Sequence, residues 1–235
     1  MDRARQWANS VRLIVDARLK QILLFGGTFD PVHNGHAAMV AAAMAETGSS
    51  RLILLPAGNP YQRGRLPFAS ALHRTAMLKI AFAETADVSI DTRELARTGP
   101  TFTVDTLREL RQVLGDNVAL TWLIGCDAFA RLDSWHEWQT LFTFANFAVA
   151  IRQGEPHPMQ AASAELKLYL ANRQVRSLGE STSGHYAMLA GIIPSVSSTA
   201  IRARLKNHQS IRGLAPDGVC DYIEHHKLYE QEENT

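Results

Sequence analysis

Short apolar runs alternate with longer segments of helical periodicity along most of the chain. The apolar runs are mostly continuous rather than alternating, which is typical of strands that are covered on both faces. They predict strands at 21–25, 51–56, 87–91, 118–125, 147–152 and 188–193. Between them, the periodicity predicts helices at 35–46, 70–84, 104–114 and 164–173. This alternation predicts a doubly wound α/β fold with a parallel sheet in a single domain.

Composition and charge narrow the class of protein. The chain has 235 residues, of which 46% are hydrophobic and 20% charged, so it can bury a full core. Its formal net charge of +1 lacks the basic surplus that nucleic-acid or membrane-surface partners favour. The cysteines, Cys126 and Cys220, show no CxxC spacing, which fits a reducing cytoplasm and predicts no zinc site.

The N-terminal segment 1–20 mixes Arg and Asp with apolar residues and does not have the continuous apolar core of a secretory signal. No run of about 18 apolar residues occurs, so we expect no membrane span. We therefore predict an N-terminal extension of unassigned role over 1–20 and one folded domain over 21–235. The expected location is the cytoplasm.

The segment "LLFGGTFDPVHNGHAAMV", residues 23–40, joins the first strand to the first helix. Gly26 and Gly27 allow a tight turn and a close approach of the main chain to a ligand. The helix that follows presents free N–H groups and the positive end of its dipole, both of which attract phosphate. His33 and His36 are three residues apart and should point to one side, where imidazoles can donate to developing charge. The segment has the layout of a nucleoside triphosphate cradle.

Two other interpretations of this segment stay open at the level of the residues. Consecutive glycines also occur in ordinary strand-to-helix turns that bind nothing. His33 and His36 could form half of a metal site, although no third ligand lies nearby in the sequence. The phosphate-binding pattern GxxxxGK[ST] is absent.

A second anion-binding candidate lies near the other end of the chain, in "VSSTAIRARL", residues 196–205. Ser197, Ser198 and Thr199 are candidates for the N-cap of a helix, where hydroxyl and N–H groups can meet an anion. Arg202 follows one turn later and can bind phosphate oxygens with both arms of its guanidinium. The alternative is a capped helix with a surface arginine.

Aromatic and acidic residues follow the fourth predicted strand in "LIGCDAFARLDSWHEW", residues 123–138. Asp127 begins a helix and could be no more than its N-cap. Trp135 could be a core residue, as a single tryptophan often is. The pattern "WHEWQTLF" predicts a helix that starts at Trp135, with free N–H groups near His136.

Two loops are unusually long and lie where ligands bind in open α/β sheets. Residues 56–69 and residues 92–103 each follow the carboxyl end of a predicted strand. We expect both loops to contribute to a binding site.

"GGTFDPVHNGH" resembles the signature of the HxGH nucleotidyltransferases and, more narrowly, of the bacterial nicotinate mononucleotide adenylyltransferases. "VSSTAIRARL" resembles their ISSTxIR motif, and "LIGCDAFARLDSW" resembles IGxDxxxxxxxW. "TRELARTGPTFTVDTL" is similar to ERELxRxxPSYTxxTL, and "FAVAIR" to the strand that ends in an arginine near adenine. The resemblance extends from about Gln21 to Tyr229 and implies a Rossmann-like sheet.

The resemblance implies adenylyl transfer from ATP to nicotinate mononucleotide, giving deamido-NAD and pyrophosphate in NAD biosynthesis. It implies transition-state contacts from His33, His36 and Arg202. The implied ATP and phosphate contacts are Gly26, Gly27, Thr28, Phe29, Ile124, Gly125, Asp127, Arg152, Ser197, Ser198 and Thr199. The implied nicotinate nucleotide contacts are Asn59, Arg63, Thr103, Trp135 and His136. Mg²⁺ is expected on the ATP phosphates and water, without a metal site on the protein.

Two departures from the family pattern concern the acceptor side. "NPYQRG" stands where the family often has PPHK or PPHR, so Gln62 occupies the histidine position and Arg63 the cationic one. Phe102 replaces the usual tyrosine and brings no hydroxyl.

Two alternatives to this function come from different classes. The chain could be another HxGH nucleotidyltransferase, such as a pantetheine-phosphate adenylyltransferase or a cytidylyltransferase; Trp135 and the loop 92–103 argue against both. It could also be an RNA-binding module, since HxGH resembles the HIGH motif of class I tRNA synthetases. The near-neutral charge and the lack of a KMSKS-like segment argue against RNA. We expect ATP and nicotinate mononucleotide as partners, with no nucleic acid and no membrane; self-association stays open.

Overall fold

The computed structural model describes residues 21–59, 66–179 and 181–230 and confirms the predicted sheet. The six strands are all parallel and lie in the order β3-β2-β1-β4-β5-β6. This is the order of a doubly wound dinucleotide-binding fold, in which β2 and β3 are added on one side of β1 and β4, β5 and β6 on its other side. The strands are β1 Gln21–Gly27, β2 Arg51–Pro56, β3 Val88–Ile90, β4 Ala119–Gly125, β5 Asn146–Ala150 and β6 Tyr186–Met188. The extension 1–20 lies outside the described residues.

Helices cover both faces of the sheet, which explains the continuous apolar strands. The helices are α1 Asn34–Thr47, α2 Ala71–Ala81, α3 Thr103–Leu114, α4 Cys126–Phe129, α5 Trp138–Phe144, α6 Pro158–Ala161, α7 Ala164–Leu170, α8 Ser198–Lys206 and α9 Asp217–His225. Along β1, Leu23 and Phe25 pack on one face with α1, α2, α8 and α9. Ile22 and Leu24 pack on the other face with α3, α5 and α7. None of the helices in the described ranges has the length and apolar content that a membrane crossing requires.

The last strand is shorter and earlier than predicted. The sequence predicted a strand at 188–193, but pairing with β5 covers only Tyr186–Met188. The chain then turns, because the carboxylate of Glu46 at the end of α1 accepts the N–H groups of Ala190 at 2.9 Å and Gly191 at 3.0 Å. Ile192 is 83% exposed, whereas Ile193 is 1% exposed and forms an isolated parallel bridge with Arg152. The run 188–193 therefore leaves the sheet after Met188 and meets the chain beyond β5 again only at its end.

A buried arginine on α3 joins several loops on one face of the sheet. Arg111 is 8% exposed and lies among main-chain carbonyl groups. Its guanidinium donates to the carbonyl oxygens of Phe144 at 2.6 Å, Val118 at 2.6 Å, Thr182 at 2.8 Å and Gly115 at 3.0 Å. Burial lowers the pKa of this guanidinium from its ordinary value, and the nearby Asp116 partly offsets that effect. These carbonyls belong to the connection between α3 and β4, the end of α5 and the segment before β6, so Arg111 holds three segments together.

We predict that Arg111→Met lowers the free energy of unfolding by about 3 kcal/mol or more, because it leaves several buried carbonyls without a donor. The matched control is Arg108→Met on the same helix. Arg108 is 40% exposed and pairs with Asp105 and Glu137 at the surface, so its loss should cost about 1 kcal/mol or less. Urea unfolding of both variants measures the difference. Equal losses would show that the carbonyl contacts of Arg111 contribute no more than a surface ion pair.

Candidate active site

The turn after β1 is shaped by internal packing as well as by its expected ligand. A Cβ added at Gly26 would lie 2.3 Å from Cζ2 of Trp122, a buried residue of β4. A Cβ at Gly27 would lie 3.1 Å from Cζ of Phe29, whose own φ is +52°. Only glycine therefore lets the turn lie flat on the Trp122 indole. The ring of Phe29 is buried and packs 5.2 Å from that of His36, so Phe29 supports the turn from beneath.

His33 and His36 cap α1 with each other. His33 is the N-cap residue, and its Nδ1 accepts the N–H of His36 at 3.3 Å. In return, Nδ1 of His36 accepts the N–H of His33 at 3.2 Å. The two rings stack with centroids 3.7 Å apart. Because each Nδ1 accepts a hydrogen bond, each neutral ring carries its hydrogen on Nε2, which leaves Nε2–H as the donor toward an anion.

The electrostatic surroundings keep His33 neutral. Its side chain is almost fully buried, and burial followed by the positive charge of Arg152 lowers its pKa to about 4. At neutral pH the ring is therefore an uncharged donor rather than a cation.

The second motif packs directly against the first turn, although the two are far apart in sequence. Arg202 Nη1 donates to the main-chain oxygen of Asp30 at 2.6 Å, and Nη2 donates to Thr199 Oγ1 at 3.2 Å. Ser198 Oγ donates to the main-chain oxygen of Pro31 at 2.9 Å. Ser197 is the N-cap of α8, where its Oγ accepts the N–H of Ala200 at 3.1 Å. The structure thus brings the two predicted anion-binding motifs to one place.

A cleft of ≈ 210 Å³ lies at the carboxyl ends of β1, β2 and β4. This is the edge at which open α/β sheets bind their ligands. Several predicted site residues line it: Gly26, Gly27, Thr28, Thr103, Ile124, Gly125 and Trp135. Glu94, Thr101 and Trp122 also line it, although no sequence motif marked them as site residues.

The loop 92–103 is held by a charged network next to this cleft. Glu94 is buried and its Oε1 accepts the hydroxyl of Thr106 at 2.7 Å. Burial raises the pKa of the Glu94 carboxyl. Arg97 donates to Thr106 Oγ1 at 2.9 Å and to Glu109 at 2.8 Å. The N–H of Thr101 donates to the main-chain oxygen of Asn59 at 3.1 Å, which ties this loop to the start of the other one.

The predicted start of the helix at Trp135 is wrong. A 3-10 turn at Leu132–Ser134 precedes Trp135, and the N–H of Trp135 donates to Leu132 O at 2.9 Å. The helix α5 begins only at Trp138, because Glu137 adopts a left-handed conformation with φ +47°. The N–H groups near His136 are therefore not those of a helix N-terminus.

Trp135 nevertheless borders the cleft while part of its ring packs against the core. Trp135 is therefore partly a core residue, and its position at the cleft also allows it to stack on a ligand. His136 is half exposed, and its ring lies 4.5 Å from that of Phe102, the residue that replaces the family tyrosine. Phe102 is the N-cap of α3 and makes no side-chain cap, so α3 presents its N-terminus beside Thr103.

The residues after β4 and β5 lie close to the nucleotide turn. Gly125, rather than Asp127, is the N-cap of α4, and the Asp127 side chain is exposed. Arg152 Nη1 pairs with Glu155 Oε1 at 3.3 Å, and Cys126 Sγ donates to Glu155 Oε2 at 2.8 Å. Within the described ranges, Arg152 Nε is buried and has no hydrogen-bond acceptor, so a bound ligand could satisfy it.

Among the described acceptor-side residues that the sequence predicted, Asn59 and His136 do not line the cleft. Asn59 is exposed and does not line it, although its main-chain oxygen binds Thr101. Arg63, together with Gln62, lies outside the described residues.

Comparisons with known proteins agree with this architecture. A profile of the cytidylyltransferase-like family matches residues 24–204. Two curated relatives carry the name "Probable nicotinate-nucleotide adenylyltransferase". The relative from Chromobacterium violaceum is 43% identical over 208 residues, which cover 88% of this chain and 97% of the relative. The relative from Dechloromonas aromatica is 40% identical over 209 residues, which cover 88% of this chain and 96% of the relative.

A solved structure shares the fold at lower identity. Plasmodium falciparum nicotinic acid mononucleotide adenylyltransferase complexed with NaAD superposes with a TM-score of 0.67 at 19% identity. The match covers 91% of this chain and 98% of that one. At this identity the likeness shows the fold alone.

The chain belongs to the cytidylyltransferase-like family, a class of nucleotidyltransferases, because the match spans both motifs that meet at the turn. Within that class it belongs with the nicotinate-nucleotide adenylyltransferases, since relatives of that name align with it along nearly their whole length. The resemblance seen in the sequence is thereby confirmed.

We predict that stability falls below about pH 6.5 because of His33. Its pKa is about 4 in the folded chain against 6.5 for a free imidazole, so the unfolded state binds the proton first. Keeping His33 neutral therefore costs no stability above pH 6.5. Between pH 6.5 and pH 4 it lowers the free energy of unfolding by up to about 1.4 kcal/mol for each pH unit.

The measurement compares urea unfolding of the wild type and His33→Asn between pH 4 and pH 7. The variant keeps a capping oxygen and should show a shallower pH dependence. His157→Asn, which replaces the exposed capping histidine of α6, controls for the new cap itself. The same pH slope in wild type and His33→Asn would contradict the prediction.

Proposed function

We propose that the chain transfers the adenylyl group of ATP to the 5′-phosphate of nicotinate mononucleotide, giving deamido-NAD and pyrophosphate as a step of NAD biosynthesis, in the cytoplasm. The observation that carries the proposal is the meeting of the His33–His36 pair with the Arg202 segment around one turn. The curated relatives that are named for this reaction align across the same segments. The test is a pyrophosphate-release assay with ATP and a panel of acceptor phosphates.

The reaction requires positioning and charge stabilisation rather than a general base. An oxygen of the acceptor phosphate is already ionised and attacks the α-phosphorus of ATP in line. A new P–O bond forms, and the bond from the α-phosphorus to the bridging oxygen of the β-phosphate breaks. The Nε2–H groups of His33 and His36 would donate to the oxygens on which negative charge develops. Because His33 stays neutral, it can donate without taking part in proton transfer.

Arg202 and the N-terminus of α8 suit the departing pyrophosphate. Arg202 is 8% exposed and already oriented by Asp30 and Thr199, so little side-chain entropy remains to be lost on binding. A guanidinium can bind two phosphate oxygens at once, and the helix end adds N–H donors. The proposed role of Ser197, Ser198 and Thr199 is to hold this helix end against the turn.

The adenosine side would be formed by the ends of β4 and β5. Ile124 and Gly125 line the cleft. Arg152 follows β5, and its buried Nε–H would donate to an acceptor atom of the nucleotide. Asp127 lies exposed on the first turn of α4, two residues after Gly125, where it would contact the nucleotide.

The nicotinate side would be formed by Trp135 and the N-terminus of α3. Trp135 can stack on either a nicotinate or a nicotinamide ring, so stacking does not distinguish acid from amide. Thr103 lines the same cleft and begins α3, where free N–H groups and the helix dipole favour a carboxylate. This helix end, rather than the N–H groups near His136, would meet the carboxylate.

We propose that Mg²⁺ accompanies ATP and is held by its phosphates and by water, since it dehydrates reluctantly. In the parts of the chain that the structure describes, His, Cys, Asp and Glu side chains do not gather in a group able to hold a metal. The donors around the turn are imidazole, guanidinium and N–H groups, which suit the phosphates that would carry the ion. When bound, the ion neutralises phosphate charge.

We predict that His36→Ala lowers kcat by about 10²-fold, the scale of losing one donor to developing charge. Thermal unfolding and steady-state pyrophosphate release are measured on the same preparation. His225→Ala, which removes an exposed imidazole of α9, should keep wild-type kcat. A folded His36→Ala protein with near-wild-type kcat would refute the role given to His36.

We predict at least about a tenfold higher kcat/KM for nicotinate mononucleotide than for its amide, because the amide NH₂ would face N–H donors and leave one unpaired. Trp135→Ala should raise KM for both acceptors and leave most of the ratio intact. The measurement is kcat/KM for both mononucleotides in wild type and variant. Equal values for acid and amide in the wild type would exclude this basis for acceptor choice.

A further inference from the structure

The chain segment after α9 returns to the catalytic turn. Lys227 and Tyr229 adopt left-handed conformations with φ of +50° and +69°, which are uncommon for residues with a side chain. The hydroxyl of Tyr229 donates to Oδ1 of Asp30 at 2.8 Å. Asp30 lies in the motif between β1 and α1, so this bond joins the two ends of the described domain.

Asp30 is the point at which three segments meet. It is 2% exposed, and besides Tyr229 it accepts the N–H of Phe68 at 2.7 Å on Oδ2 and the N–H of Ala69 at 3.0 Å on Oδ1. Its main-chain oxygen accepts Nη1 of Arg202 at 2.6 Å. A single residue therefore orients both the end of the loop 56–69 and Arg202.

Phe68 provides a second connection from Asp30 to Arg202. The guanidinium carbon of Arg202 lies 4.6 Å from the centre of the Phe68 ring, a cation–π contact. Since Phe68 is itself positioned by the Asp30 carboxylate, a shift of that carboxylate would displace Arg202 through its carbonyl contact and through its ring contact.

The Tyr229 hydroxyl is suited to hold that carboxylate. Burial, followed by the charge of Asp30, raises the pKa of the Tyr229 phenol, so it remains a donor. Arg74 and Arg202 are the cations that act on this phenol, and both oppose the rise. A hydrogen bond to a charged group is worth more than one between neutral groups, so this contact is a strong constraint on Asp30.

We propose that Tyr229 is a positioning residue that acts through Asp30 to place Arg202 for the β- and γ-phosphates of ATP and for pyrophosphate. The proposal rests on the proposed function, because the proposed function assigns binding of the leaving pyrophosphate to Arg202. The Tyr229 ring also packs against the core, so a positioning role has to be separated from a packing role. A packing role needs only the ring, whereas the positioning role needs the hydroxyl.

The test compares Tyr229→Phe with Tyr222→Phe in the full chain. The Tyr222 hydroxyl lies on α9 and bonds to Nδ1 of His73 on α2 at 3.0 Å, so its loss removes a tyrosine hydrogen bond to another helix that does not involve Asp30. Thermal unfolding is measured for both variants. The forward reaction then gives KM for ATP and for nicotinate mononucleotide, and the reverse reaction gives KM for pyrophosphate.

We expect Tyr229→Phe to raise KM for ATP and for pyrophosphate by about tenfold, the scale of one lost bond to a charged group, with KM for nicotinate mononucleotide within about twofold. Tyr222→Phe should leave all three KM values near wild type. The proposal is overturned if Tyr229→Phe leaves KM for ATP and pyrophosphate unchanged, or if it changes all three values alike.

A double variant provides a second measurement that does not depend on the size of the first effect. In an Asp30→Ala background, which leaves no side-chain acceptor for the Tyr229 hydroxyl, adding Tyr229→Phe should change KM for pyrophosphate by less than about twofold, because the path through Asp30 is already broken. Additive effects would overturn the proposal. A wild-type protein that releases no pyrophosphate with any acceptor would instead refute the proposed function, which separates the two failures.

Discussion

The buried guanidinium of Arg74 is the constraint on which the site depends. Arg74 is 2% exposed and donates to the main-chain oxygens of Thr28 at 2.8 Å, Ala57 at 2.9 Å and Ala69 at 3.2 Å. These carbonyls follow β1, follow β2 and precede α2. A buried charge must be fully hydrogen-bonded to be tolerated, so the three segments can take only positions that satisfy it. Burial lowers the pKa of Arg74, and the charge of Asp30 partly offsets that effect.

Contacts between distant segments assemble the remainder of the site around the three segments that Arg74 binds. The parallel order places β1 next to β4, so the glycine turn lies on Trp122, and the cleft opens at their carboxyl ends. The N-terminus of α8 then docks on the turn through Arg202 and Ser198. Catalysis by positioning requires such pre-organisation, because donors that are already oriented lose little freedom when substrate binds.

Much of this arrangement could be predicted where the signal is local. His33 and His36 were expected to share one side of a helix start, and they stack there, because three-residue spacing fixes neighbours on a helix. The helix at Trp135 was predicted wrongly, since its apolar spacing is helical but Glu137 is left-handed. The strand at 188–193 was also predicted wrongly, because Glu46 from another helix captures its N–H groups. Neither the left-handed conformation of Glu137 nor the contact with Glu46 is visible as a pattern in the sequence of the segment that it alters.

The sequence by itself determined the doubly wound parallel sheet and the family, because apolar runs of strand length and short motifs are written in consecutive residues. Only the tertiary structure decided why Gly26 must lack a side chain, which residues satisfy Arg74, and that Tyr229 reaches Asp30. The physical reason is that these contacts join residues from different elements, whose distance in space is set by the packing of the whole sheet. Asp30 and Tyr229 are ordinary residues in their own segments, and they acquire a role only when burial places a carboxylate and a hydroxyl 2.8 Å apart.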